Sequence, residues 1–293
     1  MSTYKISDLE SLTGIKAHTI RIWEQRYNIL LPLRTETNIR LYNDEHLKKL
    51  LNIVSLIKAG SKISKISKLS IEEINKRVAV LTGNAISSGV KEEALINQMI
   101  SAGLTYDEKA FEKYFSNAIL SFGLLLAYQR VFYPMLCKIG LLWSTSELNP
   151  SQEHFVSNLI KQKLFSAIDS VKASQSETES WLLFLPAKDQ HDLGLLVSNY
   201  GLRSKGHKVY YLGADVPLKS LMLILEEVKP SHCLMFSVMP HQEIVVNKYL
   251  RELNRLNPKL IVKVCCSQFL SKKLTLNRNQ NTITTFEDFK EII

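Results

Sequence analysis

Asp189-Gln190-His191-Asp192-Leu193-Gly194 follows directly on an apolar run at residues 181–186. A neutral imidazole is the commonest protein ligand for a transition metal. An acidic group two positions earlier is placed to hold one ring nitrogen and turn the other toward the metal. Ser237-Val238-Met239 follows a second apolar run, and Cys265-Cys266 a third. In an open α/β sheet, ligands sit at the carboxyl ends of successive strands. Asp189, His191, Gly194, Ser237, Cys265 and Cys266 are therefore expected along one edge. A lone histidine is more often structural than ligating, so the reading rests on this company and not on His191 alone.

The elements that position these residues can be read from the pattern. From residue 181 onward apolar strands alternate with helices. Strands are expected at 181–186, 207–212, 232–237, 260–264 and 282–285, and helices at 192–205, 217–228, 242–256 and 287–292. Such alternation predicts a doubly wound parallel sheet over 180–293. Residues 90–175 are helical in pattern, with helices expected at 93–102, 105–126, 130–142 and 151–173 and an interruption near Gly123. That is enough for a four-helix bundle. The small-residue stretch 82–89 reads as a linker, and the polar stretch 174–180 as a boundary.

At the other end, Ile6, Leu9 and Leu12 share a helical face, Gly14 marks a turn, and a second short helix starts near Ile15. Helix, glycine-containing turn, helix is the helix-turn-helix pattern. Residues 28–42 suit a β-hairpin, and Asn43 or Asp44 can cap a helix that runs to Ala59 and stops at Gly60. The charge agrees. Residues 1–77 hold 14 Lys/Arg against 8 Asp/Glu, most of the net charge of +9. A basic segment of domain size suggests a polyanionic partner, nucleic acid first; charge alone leaves a merely lysine-rich surface equally open.

Composition sets further bounds. The chain has 293 residues, of which 45% are hydrophobic, and no apolar run long enough to span a bilayer. No secretory signal precedes the first helical pattern, so a cytoplasmic location and no membrane partner are expected. Cys137, Cys233, Cys265 and Cys266 lack Cys-x-x-Cys spacing and read as reduced thiols. No paired carboxylates or nucleophile triad suggest catalysis, so the chain is not expected to be an enzyme.

Thr19-Ile20-Arg21-Ile22-Trp23-Glu24, with Pro32-Leu33-Arg34 and Arg40-Leu41-Tyr42, resembles the MerR-type winged helix over residues 4–72. The resemblance implies binding to double-stranded DNA. The start of a helix and nearby arginines enter the major groove, and wing residues hold phosphates. His18, Arg21, Arg34, Arg40 and Tyr42 are the candidate DNA contacts, with Trp23 expected in the core. Ile39 departs from the family's wing turn. The long dimerising helix common in that family is broken here at Gly60, so assembly into a homo-oligomer is expected to depend on the later segments.

The sheet motifs resemble the cobalamin-binding domain, which carries Asp-x-His-x-x-Gly, Ser-x-Leu/Thr and Gly-Gly. That resemblance implies that His191 binds cobalt from below with Asp189 orienting it. It also implies that Gly194 allows close approach to the cofactor's nucleotide tail and that Ser237 lines the tail's slot. Cys265-Cys266 stands where two glycines are expected, which leaves a reshaped pocket and a degenerate one both open. Trp143, followed after nine residues by Glu153-His154, resembles the helical half of light-responsive, cobalamin-dependent MerR-type repressors of the CarH/LitR kind. There the tryptophan covers the upper face of the corrin, with Glu and His beside the adenosyl group. The alternative is a core tryptophan and a surface Glu-His pair. Members of that group carry a histidine directly after the tryptophan; here it is Ser144. Together these resemblances imply a DNA-binding transcriptional repressor that senses adenosylcobalamin, and light through its Co–C bond. Its segments would be 1–75, 90–175 and 180–293. The alternatives are a regulator whose corrinoid pocket no longer binds, and a corrinoid subunit of a methyltransferase. The winged helix argues against the second of these.

Overall fold

The computed structural model describes residues 3–35, 37–81, 88–144, 150–172, 179–239 and 242–293, with backbone alone at 88 and 141–144. The linker expected at 82–89 and the boundary expected at 174–180 lie largely outside the described residues. The chain forms two compact units, Met1–Leu159 and Ile160–Ile293.

The first unit begins with α1 (Ile6–Thr13) and α2 (Ala17–Tyr27). Gly14, at φ +71°, ends α1 by donating its N–H to the Glu10 carbonyl at 2.8 Å; only a residue without a Cβ takes this left-handed turn cheaply. The expected hairpin forms from β1 (Leu33–Arg34) and β2 (Arg40–Leu41), which are antiparallel. Asn43 caps α3 (Asp44–Lys58), its side chain accepting from the His46 N–H at 3.0 Å. Two shorter helices follow, α4 (Ile63–Ile66) and α5 (Ile71–Leu81).

The helical segment holds α6 (Ser88–Leu104), α7 (Glu108–Phe122), α8 (Leu124–Ala127), a π-helical turn at Tyr128–Phe132, α9 (Tyr133–Ser144) and α10 (Pro150–Asp169). The interruption at Gly123 is real. Its φ of +73° ends α7, and the chain bends by 119° there. The expected helix boundaries at 126 and 130 are corrected. The second helix ends at Phe122, and the third starts at Leu124 and runs through the π turn into α9. Apolar spacing blurs across such a turn, because one extra residue per turn leaves the same face covered. No single described helix is long and apolar enough to cross a membrane.

The winged-helix segment is packed onto the bundle within this unit. α3 lies against α6, and α1 against α9. A polar strip runs along the side of α3 that meets α5 and α6. Asn52 donates to Asn75 at 2.8 Å and accepts from Gln98 at 2.7 Å, and Asn97 donates to Ser55 at 2.9 Å. At the end of α3, Glu93 receives Lys58 at 2.9 Å and Lys138 at 3.0 Å.

In the second unit the described sheet is parallel. It comprises β3 (Ser180–Pro186), β4 (Lys208–Val216), β5 (His232–Ser237), β6 (Ile261–Cys266) and β7 (Gln280–Ile283), in the spatial order β4-β3-β5-β6-β7. Its helices are α11 (Leu193–Ser204), α12 (Leu218–Val228), α13 (Glu243–Leu256), α14 (Gln268–Ser271) and α15 (Phe286–Ile292). Alternate strand residues Leu182, Phe184, Cys233, Met235, Val262 and Val264 bury one face with α12 and α13. The opposite face packs on α11 and α15. The strand order reverses between β3 and β5, so the ligand-binding crevice of such a fold lies beyond their carboxyl ends.

Candidate functional site

His191 and Asp189 leave β3 on the side of that crevice. Asp189 is fully buried, and its Oδ1 accepts from the His191 backbone N–H at 3.1 Å and meets the ring Nδ1 at 3.0 Å. A ring held through Nδ1 presents Nε2 to a metal. The His191 side chain is 52% exposed, so it stands at the rim where a flat ligand can reach it. The loop beneath it is tied in several places. The Asp189 carbonyl accepts from Asp215 at 3.1 Å, and the Asp215 carboxylate accepts from the Lys188 N–H at 2.7 Å. The Tyr249 hydroxyl on α13 accepts from Ala187 at 3.1 Å and donates to the Val216 carbonyl at 2.7 Å. Asp192 pairs with Lys161 at 2.6 Å. Sequence reasoning missed Tyr249 and Lys161, since both lie far along the chain from the loops they hold.

Ser237 ends β5 with its Oγ buried, and Asp189 Oδ2 is buried beside the histidine. Neither has a hydrogen-bond partner among the described residues. Buried polar atoms are costly to leave unbonded, and such atoms at a crevice suit a bound polar group. Burial and the charge of Asp192 raise the pKa of Tyr211, whose hydroxyl is likewise unpartnered among the described residues.

Cys265 and Cys266 lie within β6, not beyond it, which corrects the expected strand end at 264. They pair with Phe236 and Ser237, and strand alternation sends them to opposite faces. Cys266 joins the core under α13. The two side chains therefore do not narrow one slot together. Burial pushes the Cys266 thiol up to about 11 and that of Cys265 well above its ordinary value. Both stay protonated at neutral pH, which disfavours them as metal ligands beside His191.

Gly194 sits in the first turn of α11, where a Cβ would come 2.5 Å from the Phe236 ring. The close approach expected at this glycine is made by the chain's own side chain. His191, held by Asp189, would suit a cobalt ion through its free ring nitrogen; the space beside Gly194 is filled by Phe236 and would not take a nucleotide tail.

In the first unit Glu153 is half-buried, and its Oε2 meets Nδ1 of the exposed His154 at 3.0 Å. Trp143 and Ser144 lie in α9, and their side chains fall outside the described residues. At the winged helix, His18 and Arg21 are exposed on α2, and Arg34 is exposed on β1, where it donates to Asn38. Arg40 is partly buried, its Nε donating to Glu24 at 3.1 Å. Tyr42 is corrected: it is 1% exposed, and its hydroxyl donates to Glu24 at 2.6 Å. It cannot reach a phosphate from there. Burial and the Glu24 carboxylate raise its pKa, which keeps it a donor. Glu24 on α2 thus ties the wing to the second helix of the helix-turn-helix, a role the residue pattern did not reveal. Trp23 is half-buried.

The comparisons with known proteins fall on these parts. Residues 4–72 match the MerR HTH family of regulatory proteins, and residues 95–166 match the B12 binding domain. The chain is 28% identical over 230 residues to the HTH-type transcriptional repressor CarH of Myxococcus xanthus, covering 78% of this chain and 76% of that one. It is 35% identical over 91 residues to the HTH-type transcriptional regulator ZntR homolog of Haemophilus influenzae, covering 31% of this chain and 67% of that one. Among solved structures, the monomethylamine corrinoid protein of Methanosarcina barkeri matches with a TM-score of 0.56 at 12% identity, over 69% of this chain and 97% of that one. That last likeness is one of fold.

Proposed function

We propose, for a chain that belongs to the MerR-type helix-turn-helix transcriptional regulators and carries a B12-binding domain, that it represses transcription from a double-stranded DNA operator under control of an adenosylated corrinoid and of light. The observation that carries the corrinoid part is the exposed His191 ring held through Nδ1 by the buried Asp189. Similarity to the transcriptional repressor CarH supports repression, and the resemblance of Trp143 with Glu153-His154 to the light-responsive repressors is the ground for the light response. In this reading residues 1–75 hold DNA, 90–175 cover the upper face of the cofactor and 180–293 hold its lower face. An adenosylated corrinoid, when bound, would supply a light-sensitive Co–C bond. The residues do the rest. His191 anchors from below, Asp189 fixes its tautomer, and Trp143, Glu153 and His154 house the upper group. His18, Arg21, Arg34 and Arg40 meet DNA, with Glu24 steadying the wing. The protein acts in the cytoplasm as a homo-oligomer and performs no catalysis. Joining several reading heads raises avidity by effective concentration alone, so loss of assembly on illumination releases DNA.

One absorbance experiment tests this reading. Protein saturated in the dark with adenosylcobinamide, which has no lower base of its own, is expected to show a nitrogen-ligated cobalt spectrum that His191→Ala abolishes. Its spectrum and its operator affinity are expected to change together on illumination. Unchanged operator affinity across dark, light and corrinoid-free protein would count against control by this cofactor. A second reading, a regulator whose pocket no longer accepts cobalamin, draws on Phe236 beside Gly194; absence of any spectral change on adding corrinoid would favour it.

A further inference from the structure

α11 is pressed onto the layer beneath it at two points. Gly194 and Gly201 are seven residues apart and share one side of the helix. A Cβ at Gly201 would lie 2.5 Å from the Ile293 Cβ and 3.2 Å from its Cα. The helix is thus pressed onto the Phe236 ring near its start and onto the end of α15 further along. Phe236 is 8% exposed and meets Phe289 of α15 edge to face, with centroids 5.8 Å apart. Cys265, 6% exposed, pairs with Phe236 from the next strand and faces the same side. Interiors packed at this density hold no spare volume for a ligand group. A nucleotide carries a sugar, a phosphate and a fused-ring base, and would have to expel the Phe236 ring to lie beside Gly194.

Axial ligation makes no such demand. His191 stands at the rim, its side chain half exposed, with the buried Asp189 holding it from behind. A corrinoid without a nucleotide tail can bring its cobalt to His191 and leave Phe236 where it is. We propose that Phe236 is a specificity-determining residue that fills the tail space beside Gly194, so that this domain takes tail-less corrinoids of the cobinamide class in preference to complete cobalamin. The proposal rests on the corrinoid reading given above and narrows its ligand.

The test is a dark titration of the full chain, freed of corrinoid, with aquacobinamide and separately with aquacobalamin, followed by absorbance. Wild type is expected to bind aquacobinamide at least about tenfold more tightly than aquacobalamin, with a nitrogen-ligated spectrum that His191→Ala removes. Phe236→Ala, and the milder Phe236→Val, are expected to bring aquacobalamin toward parity while leaving aquacobinamide affinity unchanged. The wild-type comparison needs no variant, so it stands even if Phe236→Ala fails to fold. Equal affinity of wild type for the two corrinoids would overturn the proposal and leave the corrinoid reading intact. Binding of neither would overturn both.

Discussion

The polar strip on α3 and the apolar contacts under α11 join their elements by opposite chemistry. The strip is built from amides and hydroxyls, Asn52 and Ser55 on α3, Asn75 on α5, and Asn97 and Gln98 on α6, closed at one end by Lys58, Glu93 and Lys138, and it lies among buried apolar residues of α3 and α6 such as Leu51 and Leu95. The α11 layer is built from Gly194, Gly201, Phe236, Phe289 and Ile293. Polar groups that pair inside the protein also pair with water when unfolded, so each bond nets only about 1 kcal/mol, yet each demands its own partner. The strip therefore helps define one docking register for the winged helix on the bundle and adds little net stability of its own. The dry layer is held strongly by close packing and has no tolerance for an extra atom. The same closeness that stabilises the sheet excludes a ligand tail.

Four substitutions put numbers on this contrast. Phe289→Ala removes the ring that braces Phe236 and α15. It is expected to lower stability by about 3–5 kcal/mol, read from chemical denaturation of the sheet unit. A loss below about 1 kcal/mol would mean the layer is looser than its contacts indicate. Gly201→Ala inserts one carbon against the Ile293 backbone, with an expected loss of about 1–3 kcal/mol. Asn52→Ala takes a donor from Asn75 and an acceptor from Gln98, of which Asn75 is exposed and rehydrates. The expected loss is about 1 kcal/mol, and a loss as large as that of Phe289→Ala would erase the distinction between the two regions.

The smallest effect is a pH dependence. Burial pushes the Glu93 carboxyl up, and hydrogen bonds and charge from Lys58 and Lys138 outweigh it, so its pKa lies below the ordinary 4.5. A carboxylate with a depressed folded-state pKa adds stability that is complete above its ordinary value and is lost as pH falls through the folded one. Glu93→Gln is expected to flatten the fall in stability below pH 4.5 and to leave its slope at neutral pH unchanged. An identical acid profile in the two proteins would show that Lys58 and Lys138 do not hold this carboxylate.

Much of the architecture could be read before any coordinates. Gly14, Asn43 and Gly123 act locally through a left-handed turn, a side-chain cap and a helix stop, so their effects need only neighbours in the chain. Strand and helix alternation after residue 180 was equally plain, because buried parallel strands read as continuous apolar runs. The His191–Asp189 pair was legible because the two lie two residues apart just after an apolar strand, where a short loop can bring ring and carboxylate together. Tyr42 misled because a tyrosine in a wing reads equally as a phosphate donor or a buried hydroxyl. Only Glu24, eighteen residues away, decides between them.

The sequence by itself determined the order and type of most elements, the helix-turn-helix with its wing, and the His191–Asp189 pair, all of which rest on periodicity or short spacing. The tertiary structure decided which side chains share a space. Cys265 and Cys266 parted because strand alternation and the helices on either face assign them different neighbours. Phe236 met Gly194 because α11, β5 and α15, brought from residues 194, 236 and 289, pack to contact. Room for a ligand is a property of distances between such remote segments, and no pattern along the chain encodes it directly.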